Sequence, residues 1–519
     1  MKTDVQTTEE LREVIVKQDA RIAELEALVK YFEELFRLSK HRQFGASSEK
    51  SKYDQLNLFN EAEATADANV PEPELTEVAK HYRKRTRLVT DKLPDDLPVE
   101  IVVHDLPKED QVCPQCDGEM HVMGRNVAKR DLRIIPPQVS IVEHVQLVYA
   151  CRDCEKDEYG VPILKAQVCD PVIKGSFAAP ETVAHIMTQK FVMGAPLYRQ
   201  EQDLNRNGIM LSRQTMSNWL LKATEDWLEP IYDALKELLC NRNVLHADET
   251  TLQVLREPGK TAQSKSYMWL YRTGGDAHHP IVLLEYQPDR KATRPAEFLK
   301  NFKGYLHTDG YDAYHNLNDD IVIVGCWAHA RRKFDEVLKS LPANERNGSS
   351  SQIGKRYCDK LFDLEQTFAG LPADERYEHR INYSKPLMDE FFAWAVALNP
   401  VPKTGIGKAV HYLLSQRKYL ERYLLDGRLE ISNNRAERSI KPFVIDRKNF
   451  LFANTPRGAK ASAIMFSIIE TAKENGLNPF KYLTYIFTHA PNMDIRNDID
   501  ALQLLLPGFV PKSLKSRNM

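Results

Sequence analysis

Apolar residues recur at Leu11, Ile15, Ile22, Leu25, Val29, Phe32 and Phe36 in alternating steps of four and three, with the polar Gln18 completing the series. Over residues 8–38 this seven-residue seam, with charges filling the gaps, predicts one helix in a coiled coil and makes Gln18 a register-setting polar position. Packing of the same stripe against the helix's own protein is the alternative. Between about 100 and 170 the β-rich runs EIVVHDL and SIVEHVQLVYA predict short strands, and residues 180–235 are patterned as helix. Strands dominate again from 244 to 328, in NVLHADETTLQV, SYMWLYRT, PIVLLEY, GYLHTDG and DIVIVGCWA, with the helical segment RPAEFLKNF between the third and fourth. Residues 330–427 read as almost wholly helical. The last strongly patterned stretch, 432–475, opens on Ser432-Asn433-Asn434, good N-cap chemistry. No internal repeat is visible.

Charge changes this picture locally. Residues 61–77 carry Glu61, Glu63, Asp67, Glu72, Glu74 and Glu77 without a base, which predicts a flexible linker. Lys80, Arg83, Lys84, Arg85 and Arg87 then crowd together, a run that suits phosphate contact or simply a solvated linker. Over all 519 residues, 71 Lys+Arg against 73 Asp+Glu give −2, which excludes a uniformly basic nucleic-acid coat but not local basic patches. No apolar run approaches the ~18 residues that would span a bilayer. The start, MKTDVQTTEE, lacks a signal-peptide core. A cytoplasmic protein with no membrane partner is expected.

Four of the eight cysteines form two tight pairs, Cys113-Pro-Gln-Cys116 and Cys151-Arg-Asp-Cys154, separated by 34 residues. Two such knuckles can enclose a tetrahedral Zn²⁺ across a β-hairpin, as in zinc ribbons. With four sulfurs no position is left open for chemistry, so the site is structural. Cys169, Cys240, Cys326 and Cys358 are expected as buried apolar residues. Further on, segments 181–193, 196–206 and 212–222 form three short helical patterns, with Gly208 in the last break and Ser212 as cap. In the third, Arg213, Gln214, Ser217 and Asn218 face outward and Met216, Trp219 and Leu220 inward. That is the layout of a helix-turn-helix, and equally of a three-helix bundle with no DNA contact.

Three acids stand in an order that suits metal chemistry. Asp248 lies in a strand, Asp309 ends another, and Glu437 sits one turn into a helix. This order, and the three strands, helix and strand between the aspartates, match a ribonuclease-H-like core. Mg²⁺ prefers carboxylate oxygens, and two such ions ~4 Å apart can activate a water or a 3′-hydroxyl and stabilise the departing oxygen. Strand alternation does not decide between Asp248 and Glu249, and Asp312 competes with Asp309. Taken singly, each acid is also explained by a surface salt bridge. Asn434 and Lys441 share a helical stripe with Glu437. Around them, Arg435, Arg438, Lys441, Arg447, Lys448, Arg457 and Lys460 against Glu437 and Asp446 give residues 435–460 a balance of +5, interleaved with Phe443, Phe450 and Phe452. A groove that tracks a nucleic-acid backbone has this composition, and so does a helix with a solvated face.

At these residues the chain resembles the insertion-sequence sixty-six family of bacterial transposases, within the DDE superfamily, over nearly its whole length. RQFGASSEK at 42–50, KLPDDLP at 92–98, PLYRQEQDLNRNGIMLSRQTMSNW at 196–219, HADET, HTDGYDAY, CWAHARRKF at 326–334, NNRAERSIKPFVIDRKNFLFANTPRGAKAS at 433–462 and IIETAKENGLNPFKYL at 468–483 carry the resemblance. It implies a DDE triad of Asp248, Asp309 and Glu437 holding Mg (or Mn), which resolves the neighbour ambiguities. It also implies a helical insertion at 341–427 within the 127 residues between Asp309 and Glu437. Asn433 and Val444 stand where some other transposases carry arginine and lysine. His329, Arg331 and Arg332 fall near the site, where capping or packing suits them equally well.

The expected architecture is a multidomain α+β chain. Residues 1–60 form a coiled-coil oligomerisation helix, 61–100 a charged linker, 101–172 a zinc-ribbon domain and 175–238 a helix-turn-helix-like DNA-binding segment. Residues 240–340 and 428–475 form the two parts of a ribonuclease-H-like catalytic core around the helical insertion, and 476–519 a helical tail. The expected function is DNA transposition in the cytoplasm, at the nucleoid. The partners are inverted-repeat ends, target DNA and a second copy of the chain, with room for accessory proteins of the same element. Arg213, Gln214, Asn218, Arg435, Arg438, Lys441, Arg447 and Lys448 are the candidate DNA contacts. The rivals are a structure-selective nuclease on the same fold and a catalytically silent zinc-ribbon DNA-binding protein.

Overall fold

The computed structural model describes residues 139–150 and 163–516, with residues 16–19, 21, 22, 25, 26, 29 and 33. The last group is helical, and its seam residues Ile22, Leu25 and Val29 are exposed. The charged linker, the run EIVVHDL, the four paired cysteines and the seam positions Leu11, Ile15, Phe32 and Phe36 lie outside the described residues.

The chain divides into two units, residues 47–165 and residues 1–46 with 166–519. In the first, β1 (Val148–Ala150) pairs antiparallel with β2 (Ile163–Lys165), flanking the second cysteine pair. Only the last three residues of SIVEHVQLVYA are strand. Residues 139–147 are irregular and exposed.

The second unit begins with helices α1 (Pro180–Phe191), α2 (Leu197–Arg206), α3 (Arg213–Ala223) and α4 (Glu229–Cys240). Gly208 makes the turn between α2 and α3 at φ +77°, which favours a residue without Cβ. Ser212 caps α3 by accepting from the Thr215 N–H at 3.1 Å. Met216, Trp219 and Leu220 are buried, while Arg213, Gln214 and Asn218 are exposed, as their helical spacing requires.

A five-stranded mixed sheet follows. β3 (Val244–Gln253), β4 (Lys265–Thr273) and β5 (Val282–Gln287) are antiparallel neighbours. After α5 (Thr293–Phe298), β6 (Gly304–His307) pairs parallel to β3, and β7 (Ile321–Val324) parallel to β6. The order is β5-β4-β3-β6-β7. The longer helices that follow are α6 (Trp327–Ser340), α7 (Ser350–Phe368), α8 (Lys385–Leu398), α9 (Gly405–Ser415), α10 (Asn434–Phe450), α11 (Pro456–Glu474) and α12 (Pro479–His489). One core joins α1, α3, α4, the strands, α10, α11 and α12. A second joins β7 and α6 to α7–α9, around Trp327, Phe334, Phe391 and Phe392.

Both sheet edges are covered. On β5, the hydroxyls of Ser467 and Thr471 from α11 accept from the Leu284 and Val282 N–H groups at 2.7 and 3.0 Å. On β7, Arg422 donates to the Ile323 carbonyl at 2.9 Å. These contacts satisfy the outward backbone groups that would otherwise recruit another strand. In the helical region Arg380 is fully buried. It forms an ion pair with Glu365 and donates to the carbonyls of Tyr423, Asp426 and Leu429. Cys240, Cys326 and Cys358 are buried as expected, but Cys169 is exposed, in the irregular segment before α1.

On β5, burial works against the charge of Glu285 and pushes its carboxyl up to about 7. A raised carboxylate binds its proton more tightly in the folded than in the unfolded chain, so stability falls as pH rises from about 4.5 to 7. Glu285→Gln removes that penalty. Its melting temperature should exceed the wild type's at pH 8 by the equivalent of ~1–2 kcal/mol and match it near pH 4.5. Thermal melts at the two pH values read the difference directly, and a pH-independent difference would contradict it.

Candidate active site

The site is built where β3, β6 and α10 meet. His246 of β3 and His307 of β6 are register partners, fully buried and stacked with ring centroids 4.3 Å apart. Asp248 lies two residues past His246 within β3, and Asp309 two residues past His307, just beyond the end of β6. Glu437 arrives from α10. Asn433, at the N-cap position of that helix, is buried and does not cap it. Its amide donates to the Ala247 carbonyl at 2.8 Å, and its oxygen faces His246 Nδ1 at 2.9 Å. The local cap chemistry expected there yields to a bond across the fold, because Ala247 and His246 would otherwise hold unpaired buried polar groups. Arg447 ties the far end of α10 to β3 through the Thr251 carbonyl and the Thr250 hydroxyl. With both ends of α10 held to β3, Glu437 is set one turn past Asn433.

Electrostatics shows the convergence. Burial first, then the charges of Glu249, Asp309 and Glu437, push the Asp248 carboxyl well above the usual range. The neighbours separate cleanly. Glu249 is inside the protein, in an ion pair with Arg290 and accepting from the Tyr314 hydroxyl at 2.5 Å. Asp312 points to solvent, its side chain 94% exposed, whereas Asp309 closes a turn by accepting from the Tyr311 N–H at 3.0 Å. Gly310 follows, where an added Cβ would meet the Tyr412 hydroxyl of α9 at 3.0 Å, so the helical region closes on this loop.

Glu437 has two companions from α6. Arg332 donates to one carboxylate oxygen at 3.2 Å, and His329 Nδ1 stands 3.7 Å from the other, Oε1. Both His329 Nδ1 and Glu437 Oε1 are buried with no hydrogen-bond partner. Beneath them, Cys326 Sγ accepts from the Asn433 N–H at 3.1 Å. His329 and Arg332 thus reach the acid they neighboured in the sequence reading. Cys326, expected as a packing residue, is a member of the cluster, and the Cys-x-x-His spacing of CWAHARR was the signal available for it.

The residues present suit a divalent cation. The largest influences on Asp248 are burial and three like charges, an arrangement that a metal ion neutralises, and the donors are the hard oxygens that Mg²⁺ prefers. Of the cations on α10, Arg435 is paired with Glu430 at 2.6 Å and Arg447 is held by β3, while Arg438, Lys441 and Lys448 are exposed. On α3, Arg213 lies over the Tyr198 ring and beside Glu201, and Gln214 donates to Asn218 at 3.2 Å. These three residues are separated from the acids along the chain and are not part of the cluster.

Comparison with known proteins places these features in a family. Residues 175–461 match the model of the Transposase IS66 family, and residues 467–507 the IS66 C-terminal element. Residues 110–155 match the zinc-finger binding domain of transposase IS66, a span that holds Cys113, Cys116, Cys151 and Cys154 and supports a structural zinc. Residues 31–102 match a model described as Transposase C of IS166 homeodomain. Among similar proteins of Sinorhizobium fredii (strain NBRC 101917 / NGR234), the uncharacterized protein y4qI is 31% identical over 76% of this chain and 74% of its own. The uncharacterized protein y4jD is 28% identical over 87% of this chain and 88% of its own. The chain belongs to the IS66 family of transposases.

Proposed function

We propose that the protein is the transposase of a bacterial insertion sequence, which binds terminal inverted repeats, cleaves their 3′ strand ends and joins them to target DNA. The observation that supports this reading is that the charges of Asp309 and Glu437, 61 and 189 residues further along the chain, both bear on the buried Asp248 carboxyl. The strand order β5-β4-β3-β6-β7, with three antiparallel strands and two parallel ones, supports a ribonuclease-H-like core. Asp248, Asp309 and Glu437 would hold Mg²⁺ or Mn²⁺. When bound, that metal supplies activation of a water or a 3′-hydroxyl and stabilisation of the leaving oxygen.

The chain's own residues do the rest. Asn433 and Arg447 fix α10 so that Glu437 stays opposite Asp248. Arg332 offsets the Glu437 charge, and Arg438, Lys441 and Lys448 face outward, where they would contact phosphates. The acids serve the metal, so no covalent protein–DNA intermediate forms. The ribbon and α1–α3 would bind the element's ends, and the N-terminal seam would join two copies so that two ends are held together. No helix among the described residues is long and apolar enough to cross a membrane. The proposed action on DNA would put the protein in the cytoplasm, at the nucleoid.

The test is a supercoiled plasmid bearing paired ends, incubated with Mg²⁺ and target DNA. Cleavage followed by joining supports transposition, and cleavage without joining identifies a nuclease instead. End recognition has its own test. Arg213→Ala with Asn218→Ala should weaken binding to the inverted repeat by about tenfold or more and relax its sequence preference, with the helix intact because neither residue is buried. Mobility shifts on matched and scrambled ends read this, and unchanged affinity would remove α3 from the interface.

A further inference from the structure

Cys326, His329 and Glu437 offer a sulfur, a ring nitrogen and a carboxylate oxygen that all lie within 4.8 Å of one another. We propose that these three residues form a binding site for a thiophilic divalent ion, Zn²⁺ in the first place, whose occupation silences the catalytic centre by taking Glu437. The inhibitory half rests on the catalytic role proposed for Glu437; the binding half stands without it.

The donor set is the first ground. Mg²⁺ takes oxygen ligands, whereas sulfur and imidazole nitrogen with one carboxylate suit Zn²⁺ and its borderline-soft neighbours. The placement is the second. Cys326 immediately precedes α6 and His329 lies in its first turn, so a single helix start fixes both donors. The Asn433 N–H donates to Cys326 Sγ at 3.1 Å, which aims the sulfur toward α10. Burial pushes the Cys326 thiol up to about 11, so an arriving metal ion must displace its proton. The third ground is the pair of orphans. His329 Nδ1 and Glu437 Oε1 face each other at 3.7 Å, both buried, and neither has a hydrogen-bond partner. Such groups are costly to leave unsatisfied, and an ion between them satisfies both.

The geometry closes with a small movement. Zinc bonds of ~2.0–2.3 Å put tetrahedral donors about 3.5 Å apart. The Glu437 side chain, 31% exposed, can turn by the required amount, whereas Cys326 is held in the interior. His329 and Glu437 form the outer wall, so three protein ligands close the ion from inside and the fourth position opens to solvent. Arg332 must then change partner. It now holds the second Glu437 oxygen at 3.2 Å and faces His329 Nε2 at 3.3 Å. Metal at Nδ1 leaves the ring proton on Nε2, so the guanidinium no longer has an acceptor there and the ion replaces it as counter-charge.

The test uses full-length protein with the ribbon loaded with zinc. Titration with Co²⁺ is followed in the near ultraviolet, where cobalt bound to thiolate absorbs strongly. The ribbon contributes equally in every variant, so the difference between wild type and Cys326→Ser isolates the new site. Wild type should gain one further equivalent of thiolate-bound cobalt that Cys326→Ser lacks. His329→Ala should weaken it by about tenfold or more, and Asp248→Asn should retain it. Identical spectra for wild type and Cys326→Ser would overturn the site. In the plasmid assay, micromolar Zn²⁺ added over excess Mg²⁺ should slow wild-type cleavage by about tenfold, and Cys326→Ser, measured against its own Mg²⁺ rate, by far less. Equal inhibition of both would overturn the regulatory half. If wild type does not cleave with Mg²⁺ at all, the catalytic reading fails and the cobalt spectrum still decides the site.

Discussion

Asp248→Asn should slow end cleavage by about 10³-fold or more, equivalent to ~4 kcal/mol of barrier, while end binding is kept and the melting temperature rises. The two effects have one cause. Asp248 is held inside the protein against the charges of Glu249, Asp309 and Glu437, an arrangement that weakens the fold when no cation offsets it. Removing the charge relieves the repulsion, and a relief of ~1 kcal/mol raises the melting temperature by roughly 2–4 °C in a domain of this size. The adjacent acid should behave oppositely. Glu249→Ala strips Arg290 of its counter-charge and the buried Tyr314 hydroxyl of its acceptor, so it should melt lower than wild type. Cleavage of end-bearing plasmid beside thermal melts of both variants checks the pair. An Asp248→Asn protein that cuts as fast as wild type would remove the triad.

Arg380→Ala should cost ~3–5 kcal/mol and lower the melting temperature by roughly 10 °C. The guanidinium is 1% exposed and serves four partners at once, the Glu365 carboxylate and the carbonyls of Tyr423, Asp426 and Leu429. Truncation leaves a buried carboxylate and three carbonyls without a donor, which is far worse than never having made the bonds. Arg380→Lys should not restore the loss, because a point charge cannot reproduce the planar fork. Cleavage should suffer more than end binding. The same helical region carries Tyr412, which closes on Gly310 next to Asp309, whereas α1–α3 lie in the other core. A variant melting within ~2 °C of wild type would show that this network holds little.

Much of the strand and helix pattern was legible because it is local. The five runs between 244 and 328 are β-branched and aromatic, and each became a strand. Ser212 and Gly208 announced the start of α3 and the turn before it, and both act as their chemistry implies. The acids were legible as types in an order. Which neighbour mattered was not, since alternation along one strand says nothing about what stands across from each face. The structure separates them through Arg290 and Tyr314, 41 and 65 residues from Glu249, which occupy that carboxylate and leave Asp248 to the cluster.

The contacts that pattern did not show are those whose partners lie far off along the chain. Asn433 looked like a helix cap, but its amide bonds Ala247, 186 residues away. Arg435 and Arg447, candidate phosphate contacts, also have partners in Glu430 and β3 that no local pattern announced. Cys326 is buried, as its pattern implied, and it also stands with His329 and Glu437. By itself, the sequence determined most of the described strands and helices and the order of the acids, because periodicity and residue type are properties of neighbours along the chain, and its motifs carried the resemblance to the family. Only the tertiary structure decided which charges are already neutralised inside the protein and which stand together without a partner, because that depends on side chains brought within a few ångströms by strand pairing and helix packing.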